Sequence, residues 1–538
     1  MALEPAPVLS VPGQHSVCQL NAHIPEIGSS RGYPHAPLKG VAKSRTPRSS
    51  YTPTRTSRRV SRRTRMTTYD SATGGEAGRR PTVAELFAGV GGFHLALDRA
   101  GFDVVWSNQW EPATKAQHAF DCYQQHVADG DFHRYGRDLR GQPSATTDLG
   151  LADHVASNDD IAAVLDRYEA QLSGPKRPMF PAVPDVDLVV GGFPCQDYSV
   201  AKTLRQAHGL VGKKGVLWWE IHRLLRLKLA QRQPVKYLFL ENVDRLVKSP
   251  TGQRDRDFAV MLASLADLGY EVEWRVVNAA DYGFPQKRRR VFIIGRFGRH
   301  EGSPFEQLMS TGVLARALPT SEKEPFDWTP LNLDPDVKVV SDTFNLGPHK
   351  TPFGNAGVMR ISSGGRGAAV WTTDVRPAYL GDRVTLGEVL EPADDVPPQF
   401  FVYGEALEKW RFLKGAKSLT RISRATGHEY TYDEGPIPFP DRTDGPSRTI
   451  LTGEGGATPS RFKHLIQTED GRFRRLTPRE LEALNGFPGD WTAGMSDGKR
   501  AFMMGNALVV GLVERIANEL IREVAVATPA SERAAAAS

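Results

Sequence analysis

Thr82-Val83-Ala84-Glu85-Leu86-Phe87-Ala88-Gly89-Val90-Gly91-Gly92 is the stretch on which the fold turns. Thr82–Leu86 is a short, mostly apolar run of the kind that forms a buried strand. A glycine-rich turn follows at once and opens into a helical pattern over Phe93–Ala100. Such a turn between strand and helix lets a ligand approach the backbone at the carboxyl edge of a parallel sheet.

Outward from this unit, further strands are expected at Val104–Trp106, Asp187–Val190, Tyr237–Leu240 and Val291–Ile294, with helical patterns between them such as Trp218–Leu229 and Phe258–Leu268. The alternation predicts an α/β domain with a largely parallel sheet. From about Phe297 to Gly471 the periodicity gives way to Pro-, Gly- and Thr-rich sequence with short β-like pieces, among them Gln399–Val402 and Arg448–Leu451. That part reads as a second, mostly irregular and β-containing domain. A helix with an apolar face over Ala507–Val524 then closes the fold. The expected division is a disordered basic tail over 1–80, a first domain over 81–296, a second over 297–472, a segment completing the first over 473–527, and a frayed end over 528–538.

A chain of 538 residues, 40% hydrophobic and 24% charged, has room for two or three domains and is neither collagen-like nor wholly disordered. Its three cysteines, Cys18, Cys122 and Cys195, are too few for a disulfide framework and point to a reducing compartment. No run approaches the roughly 18 apolar residues that a membrane-spanning helix needs. The net charge of +6 is unevenly placed: residues 1–66 hold eleven Lys or Arg against Glu4 and Glu26, which leaves the rest of the chain at −3. Nucleic-acid binding by the body must therefore rest on local patches. Three readings of the tail stay open: a phosphate-gripping arm, an Arg- and Ser-rich targeting peptide, or sequence upstream of a true start at Met66.

Chemistry-bearing residues gather at the expected strand ends. The spacing of the first glycine turn departs from the dinucleotide pattern G-x-G-x-x-G, which favours a nucleoside cofactor without a pyrophosphate. About 20 residues on stands Asn108-Gln109-Trp110-Glu111, where a nucleotide-binding fold places a group for the ribose hydroxyls. The next strand ends in Gly191-Gly192-Phe193-Pro194-Cys195-Gln196-Asp197. A cysteine exposed there suits a nucleophile, whereas the usual fate of free cysteine as a small buried hydrophobe fits Cys122 better. Tyr237–Leu240 runs straight into Glu241-Asn242-Val243, where partial desolvation is expected to raise the carboxyl pKa and suit it to proton donation. In Gln286-Lys287-Arg288-Arg289-Arg290, Arg288 and Arg290 share one face of an extended segment and are expected to point inward. One sheet edge thus receives a glycine turn, a cysteine, a glutamate and an arginine pair.

Six motifs in order resemble those of the DNA (cytosine-5)-methyltransferases of bacterial type II restriction–modification systems. They are Phe87-x-Gly89-x-Gly91-Gly92, Pro194-Cys195-Gln196, Glu241-Asn242-Val243, Gln286-x-Arg288-x-Arg290, Arg474-Arg475-Leu476-Thr477-Pro478-Arg479-Glu480 and Gly505-Asn506-Ala507-Leu508, within about residues 81–525. The resemblance implies a Rossmann-like S-adenosylmethionine-dependent methyltransferase domain with a smaller, mostly irregular and β target-recognition domain over 297–472. It implies S-adenosylmethionine as cofactor, double-stranded DNA as substrate and 5-methylcytosine as product. By the same resemblance Cys195 attacks carbon 6 of a flipped-out cytosine and Glu241 holds or donates the proton at N3. Arg288, with Arg290 beside it, would support the base's carbonyl.

Cofactor contacts carry over to Phe87, Gly89, Val90 and Gly91, to Trp110 against the adenine, to Asp160 in Asp159-Asp160-Ile161, to Leu217 in the pocket wall and to Asn506. The family's usual Glu before that tryptophan is Gln109 here, so either Gln109 or Glu111 is left for the ribose. Asp197 and Ala507 also depart from residues common in the family. Gln196–Gly215, with Lys202, Arg205, Lys213 and Lys214, resembles its mobile catalytic loop. Ser447–Thr452 and Pro459–Lys463 are candidate base contacts, or else a hairpin packed on the catalytic domain. The resemblance further implies a cytoplasmic monomer without metal, paired in function with a restriction endonuclease. Rival readings fit less well. An RNA cytosine-5 methyltransferase does not call for the long recognition domain or the Gln after Cys195. A silent DNA binder needs none of Cys195, Glu241 and Arg288, and a nicotinamide dehydrogenase has no use for a cysteine facing a glutamate.

Overall fold

The computed structural model describes residues 80–112, 114–132, 154–174, 182–193, 217–250, 253–323, 330–343, 353–364, 366–423 and 426–527. Ten of the described strands form one sheet. In chain order these are β1 (Thr82–Leu86), β2 (Asp103–Asn108), β3 (Val155–Ser157), β4 (Leu188–Gly192), β5 (Tyr237–Val243), β6 (Tyr270–Asn278), β7 (Arg289–Phe297), β8 (Leu331–Leu333), β9 (Ala356–Ile361) and β10 (Ala368–Thr373). Their order across the sheet is β3-β2-β1-β4-β5-β7-β6-β9-β10-β8. The helices that position the site are α1 (Gly92–Ala100), α2 (His118–Ala128), α3 (Ile161–Leu172), α4 (Leu217–Ala230), α5 (Arg256–Asp267), α6 (Pro478–Asn485), α7 (Asp497–Asn506) and α8 (Val510–Ala527).

Alternation along the central strands sends successive side chains to opposite faces. Val83, Leu188, Val190, Tyr237 and Phe239 enter the core on the side of α1, α2 and α8. Ala84, Leu86, Val189, Leu238 and Leu240 enter the core on the side of α3, α4 and α5. The result is an α/β/α sandwich, with the expected helices in place to within a few residues. The C-terminal α8 lies beside α1, joined to it by an Arg99–Glu514 ion pair at 3.5 Å.

The sheet is mixed rather than largely parallel. β3, β2, β1, β4 and β5 are mutually parallel, but β7 is antiparallel to β5 and to β6. The nine-residue β6 was not among the expected strands. The ten residues between β6 and β7 hold only a single-turn 3-10 helix, Ala279–Tyr282, too short for a crossover, so the two strands pair antiparallel. β6 keeps polar residues at alternate positions because each is answered inside: Glu271 pairs with Arg360 at 2.8 Å, and Arg275 donates to the carbonyls of Leu308 and Leu318 at 2.6 and 2.7 Å. Beyond it, β9, β10 and β8 widen the same sheet, so part of the stretch after Phe297 continues the first domain's framework.

Candidate active site

Register places the expected strand ends side by side. Leu86 pairs with Asn108 and with Gly191, Gly192 pairs with Glu241, and Val243 pairs with Arg290. The glycine turn, the segment Gln109–Glu111, the approach to Pro194-Cys195, the end of β5 and the start of β7 therefore share one edge. Cys195 itself, and the candidate loop Gln196–Gly215, lie outside the described residues.

The turn after β1 needs its glycines. Phe87, Gly89 and Gly91 have φ of 57°, 59° and 89°, and a Cβ on Gly91 would lie 2.6 Å from Phe132 Cζ. At Gly89, by contrast, a Cβ would meet nothing within 4 Å, so the backbone there faces open space. Within the turn Gly91 N–H donates to Ala88 O at 2.9 Å, and three bonds tie it to its surroundings: Ala88 N–H donates to Asn108 O at 3.0 Å, Gly89 N–H to Gln109 Oε1 at 2.8 Å, and Trp491 Nε1–H to Val90 O at 2.8 Å. Beneath it Glu85 is fully buried, and burial pushes its carboxyl up to about 8. Tyr123 OH donates to Glu85 at 3.3 Å and lies 2.7 Å from His94 Nδ1. His94 in turn stacks on Phe132 at 3.7 Å between ring centroids.

Trp110 follows β2 with its indole 40% exposed. Its neighbours are both engaged: Gln109 by Gly89, and Glu111 by Ala119 N–H at 2.8 Å through Oε2 and by Lys499 Nζ at 3.5 Å through Oε1. Asp160 caps α3, accepting from Ala162 N–H at 3.0 Å, while Asn108 Nδ2 donates to Asp159 O at 2.9 Å. Leu217 opens α4, half-buried. Asn506 ends α7, exposed, and Leu508 Cδ1 stands 3.0 Å from where a Cβ on Gly92 would be. The C-terminal segment thus meets the glycine turn, as the ordered motifs suggested.

At the other end of the edge, Glu241 Oε1 and Arg290 Nε are 2.7 Å apart. A Cβ on Gly192 would lie 3.3 Å from Glu241 Oε2, so this carboxyl reaches the strand end three residues before Cys195. Asn242 Nδ2 donates to Phe193 O at 3.1 Å and fastens the backbone just ahead of Pro194. That role was not read from the sequence, although Asn242 stands in one of its motifs. The arginine pair divides. Arg290 joins Glu241, whereas Arg288 is buried and donates to Gly505 O at 3.0 Å and Ile450 O at 3.5 Å. Arg288 precedes β7 and ties it to the C-terminal part of the chain instead of meeting the carboxyl.

Of the two readings open for Ser447–Thr452 and Pro459–Lys463, base contact or packing on the catalytic domain, the arginines and lysine there fit packing, acting as internal braces. Arg448 donates to Asp441 at 2.7 Å, to Phe462 O at 2.8 Å and to Lys463 O at 3.0 Å. Arg461 is bound to Glu434 and Gly435 O, and Lys463 to the carbonyls of Gly456 and Thr458. Arg448–Leu451 forms no strand but runs beside Gln286–Arg288, with Ser447 bridging Gln286. Missed by sequence reading were Trp491, Lys499 and Glu85. Only Glu85 had a local signal, a lone acid in an apolar strand.

Residues 82–136 and 170–522 match the family model described as C-5 cytosine-specific DNA methylase. The chain is 41% identical over 451 residues to Type II methyltransferase M.Sau3AI of Staphylococcus aureus, covering 81% of this chain and 95% of that one. To Type II methyltransferase M.NlaIV of Neisseria lactamica it is 38% identical over 152 residues, 27% of this chain and 34% of the relative. The crystal structure of S. pombe Dnmt2 methyltransferase aligns over 83% of this chain and 99% of its own, with a TM-score of 0.44 and 14% identity.

Proposed function

Because this chain belongs to the C-5 cytosine-specific DNA methylases, and is a DNA (cytosine-5)-methyltransferase, we propose that the shared edge of β1, β2, β4, β5 and β7 is where it acts. The observation that carries this reading is the Glu241–Arg290 pair standing against Gly192, three residues before Cys195. A carboxyl and a guanidinium paired at this point, with a thiol three residues farther along the chain from Gly192, answer the three demands of the reaction.

Carbon 5 of cytosine is a poor nucleophile while the ring is aromatic. Addition of the Cys195 thiolate to carbon 6, with a proton held at N3 by Glu241, turns the ring into an enamine whose carbon 5 accepts the methyl group. Arg290 stabilises charge on the base's carbonyl and fixes the Glu241 carboxyl. Arg288 supports both by anchoring the start of β7. Loss of the proton at carbon 5 then restores the ring and expels the cysteine. A cytosine within a duplex cannot present its face to a thiol, so the base is flipped out into this edge.

The open space over Gly89 and the exposed indole of Trp110, on adjacent strand ends, suit a nucleoside cofactor, and S-adenosylmethionine is the one we assign. When bound it supplies an electrophilic methyl group. The backbone of Phe87, Gly89, Val90 and Gly91 would hold it, with Trp110 against the adenine and Asp160, Leu217 and Asn506 around it. For the ribose hydroxyls we assign Glu111: Gln109 Oε1 already accepts from Gly89 N–H at 2.8 Å, while among the described residues the side-chain partner of Glu111 Oε1 is Lys499 at 3.5 Å. Residues 297–472 are proposed to recognise the target, with β8, β9 and β10 also widening the catalytic sheet. By likeness to Type II methyltransferases, we place the protein as the protective methylase of a restriction–modification system, a cytoplasmic monomer on double-stranded DNA.

The test is transfer of a tritiated methyl group from S-adenosylmethionine to plasmid DNA, with RNA in a parallel reaction. Label in DNA is expected, and label in RNA alone contradicts the substrate. In Trp110→Ala, cofactor affinity should fall about tenfold in a fluorescence or calorimetric titration, because the aromatic platform is lost. An unchanged Kd would remove Trp110 from the site.

A further inference from the structure

Two strands not yet described, β11 (Lys417–Ile422) and β12 (Glu429–Glu434), pair antiparallel as a sheet of their own. We propose that this hairpin is the element that reads base edges in the major groove, with Arg421 and Tyr430 as its reading side chains. The proposal rests on the DNA methylase reading above and names the part of residues 297–472 that performs it.

The hairpin is exposed on both faces along nearly its whole length. A two-stranded hairpin alone in water is marginal at best, so one that stands clear of its domain calls for a partner. Register defines its faces. One carries Lys417 with Glu434, Leu419 with Tyr432, and Arg421 with Tyr430, while the other carries Ser418 with Asp433, Thr420 with Thr431, and Ile422 with Glu429. On the first face Leu419 and Tyr430 are 40% and 43% exposed, which leaves an apolar and aromatic surface in solvent.

Among the described residues, side-chain bonds to the rest of the protein fasten only the root. Lys417 Nζ reaches Glu434 Oε2 and Leu413 O at 2.8 and 2.9 Å, and Arg461 closes on Glu434 from outside the hairpin. Farther out, the Arg421 guanidinium lies 3.7 Å above the Tyr432 ring, and Tyr432 OH donates to Glu434 Oε1 at 2.9 Å. Arg421 is thereby held by stacking, yet among the described residues it has no hydrogen-bond partner. Its guanidinium donates to no acceptor among the described residues, unlike those of Arg448 and Arg461, which are engaged internally. A stacked arginine with its donor edge open suits bidentate contact with guanine O6 and N7.

Dimensions and charge agree with a duplex as the occupant. The major groove, about 12 Å wide, admits a two-stranded ribbon, and strands of this length reach about 20 Å. On the face of Arg421 and Tyr430 the one carboxylate, Glu434 at the root, is neutralised by Lys417 and Arg461, and the hairpin's other acids, Glu429 and Asp433, lie on the opposite face. The root also stands on the catalytic framework. Arg448 grips the backbone at Phe462 and Lys463, next to Arg461, and the carbonyl of Ile450, two residues after Arg448, accepts from Arg288 ahead of β7.

The experiment uses the full chain. Methylation rates are measured on a duplex carrying the wild-type target and on duplexes with single substitutions in it, for wild type, Arg421→Ala, Tyr430→Ala and a Thr420→Ala/Thr431→Ala control on the opposite face. Arg421→Ala is expected to lower the ratio of target to substituted rates about tenfold or more, with cofactor affinity unchanged and the control unaffected. Ratios unchanged in both Arg421→Ala and Tyr430→Ala overturn the proposal, as does a loss confined to the control. A change in sedimentation of Arg421→Ala without a change in ratio would mark the hairpin as a contact between copies and overturns it as well. Wild type that methylates no DNA would instead refute the reading beneath it, and is distinguishable because no ratio then exists.

Discussion

Cys195→Ala should abolish methyl transfer, lowering turnover by about four orders of magnitude or more, while S-adenosylmethionine binds nearly as in wild type. No other group at the described edge can add to carbon 6: Glu241 is paired with Arg290, and Cys122 is buried with burial pushing its thiol up to about 12. Nucleophiles that act together with a base and a charge stabiliser lose nearly all catalysis when removed, since their effects are not additive. The proposed cofactor contacts follow β1 and β2, cap α3, open α4 and end α7, and none of them is the thiol. Tritium incorporation and a cofactor titration on the same preparation check both halves, and turnover within about tenfold of wild type would refute the assigned nucleophile.

The second large effect separates the two arginines. Arg290→Ala should lower kcat by about 10² to 10³, as for removal of one charge-stabilising donor, with little change in melting temperature. Glu241→Gln should slow chemistry more than DNA binding, and the double variant should fall less than the product of the two single losses because they form one pair. Arg288→Ala is the contrast. It leaves the carbonyl of Gly505 without its buried donor, a cost of about 1–3 kcal/mol expressed in stability before rate. Thermal melts beside single-turnover rates decide the matter. An Arg288 variant that melts normally but has lost its chemistry, with Arg290→Ala fully active, would reverse the assignment.

That division shows where sequence reading stops. Residues two apart on an extended segment share a face, so Arg288 and Arg290 looked equivalent. Arg288, however, lies just ahead of β7, where the chain is still turning, and its partners Ile450 and Gly505 come from far along the sequence. The core strands were legible because each alternates apolar side chains between two buried faces, and the glycine turn because positive φ demands particular residues. The antiparallel course of β7 was not legible, since it follows from a short β6–β7 connection once β6 is known to exist. Trp491 holding Val90 across 401 residues leaves no local trace at either end. From sequence, Ser447–Thr452 and Pro459–Lys463 could serve as base contacts or pack on the catalytic domain, and only the positions of Asp441, Glu434 and the nearby carbonyls show Arg448 and Arg461 to be braces.

The central claim, that this edge transfers a methyl group to carbon 5 of cytosine in DNA at chosen sites, is tested most directly by bisulfite sequencing. Unmethylated plasmid is incubated with the purified full chain and S-adenosylmethionine, with the Cys195→Ala variant in parallel. Cytosines protected within one short recurring sequence, and none protected by the variant, are predicted. Complete conversion of every cytosine by the wild-type reaction, with the cofactor shown to bind, would contradict the account.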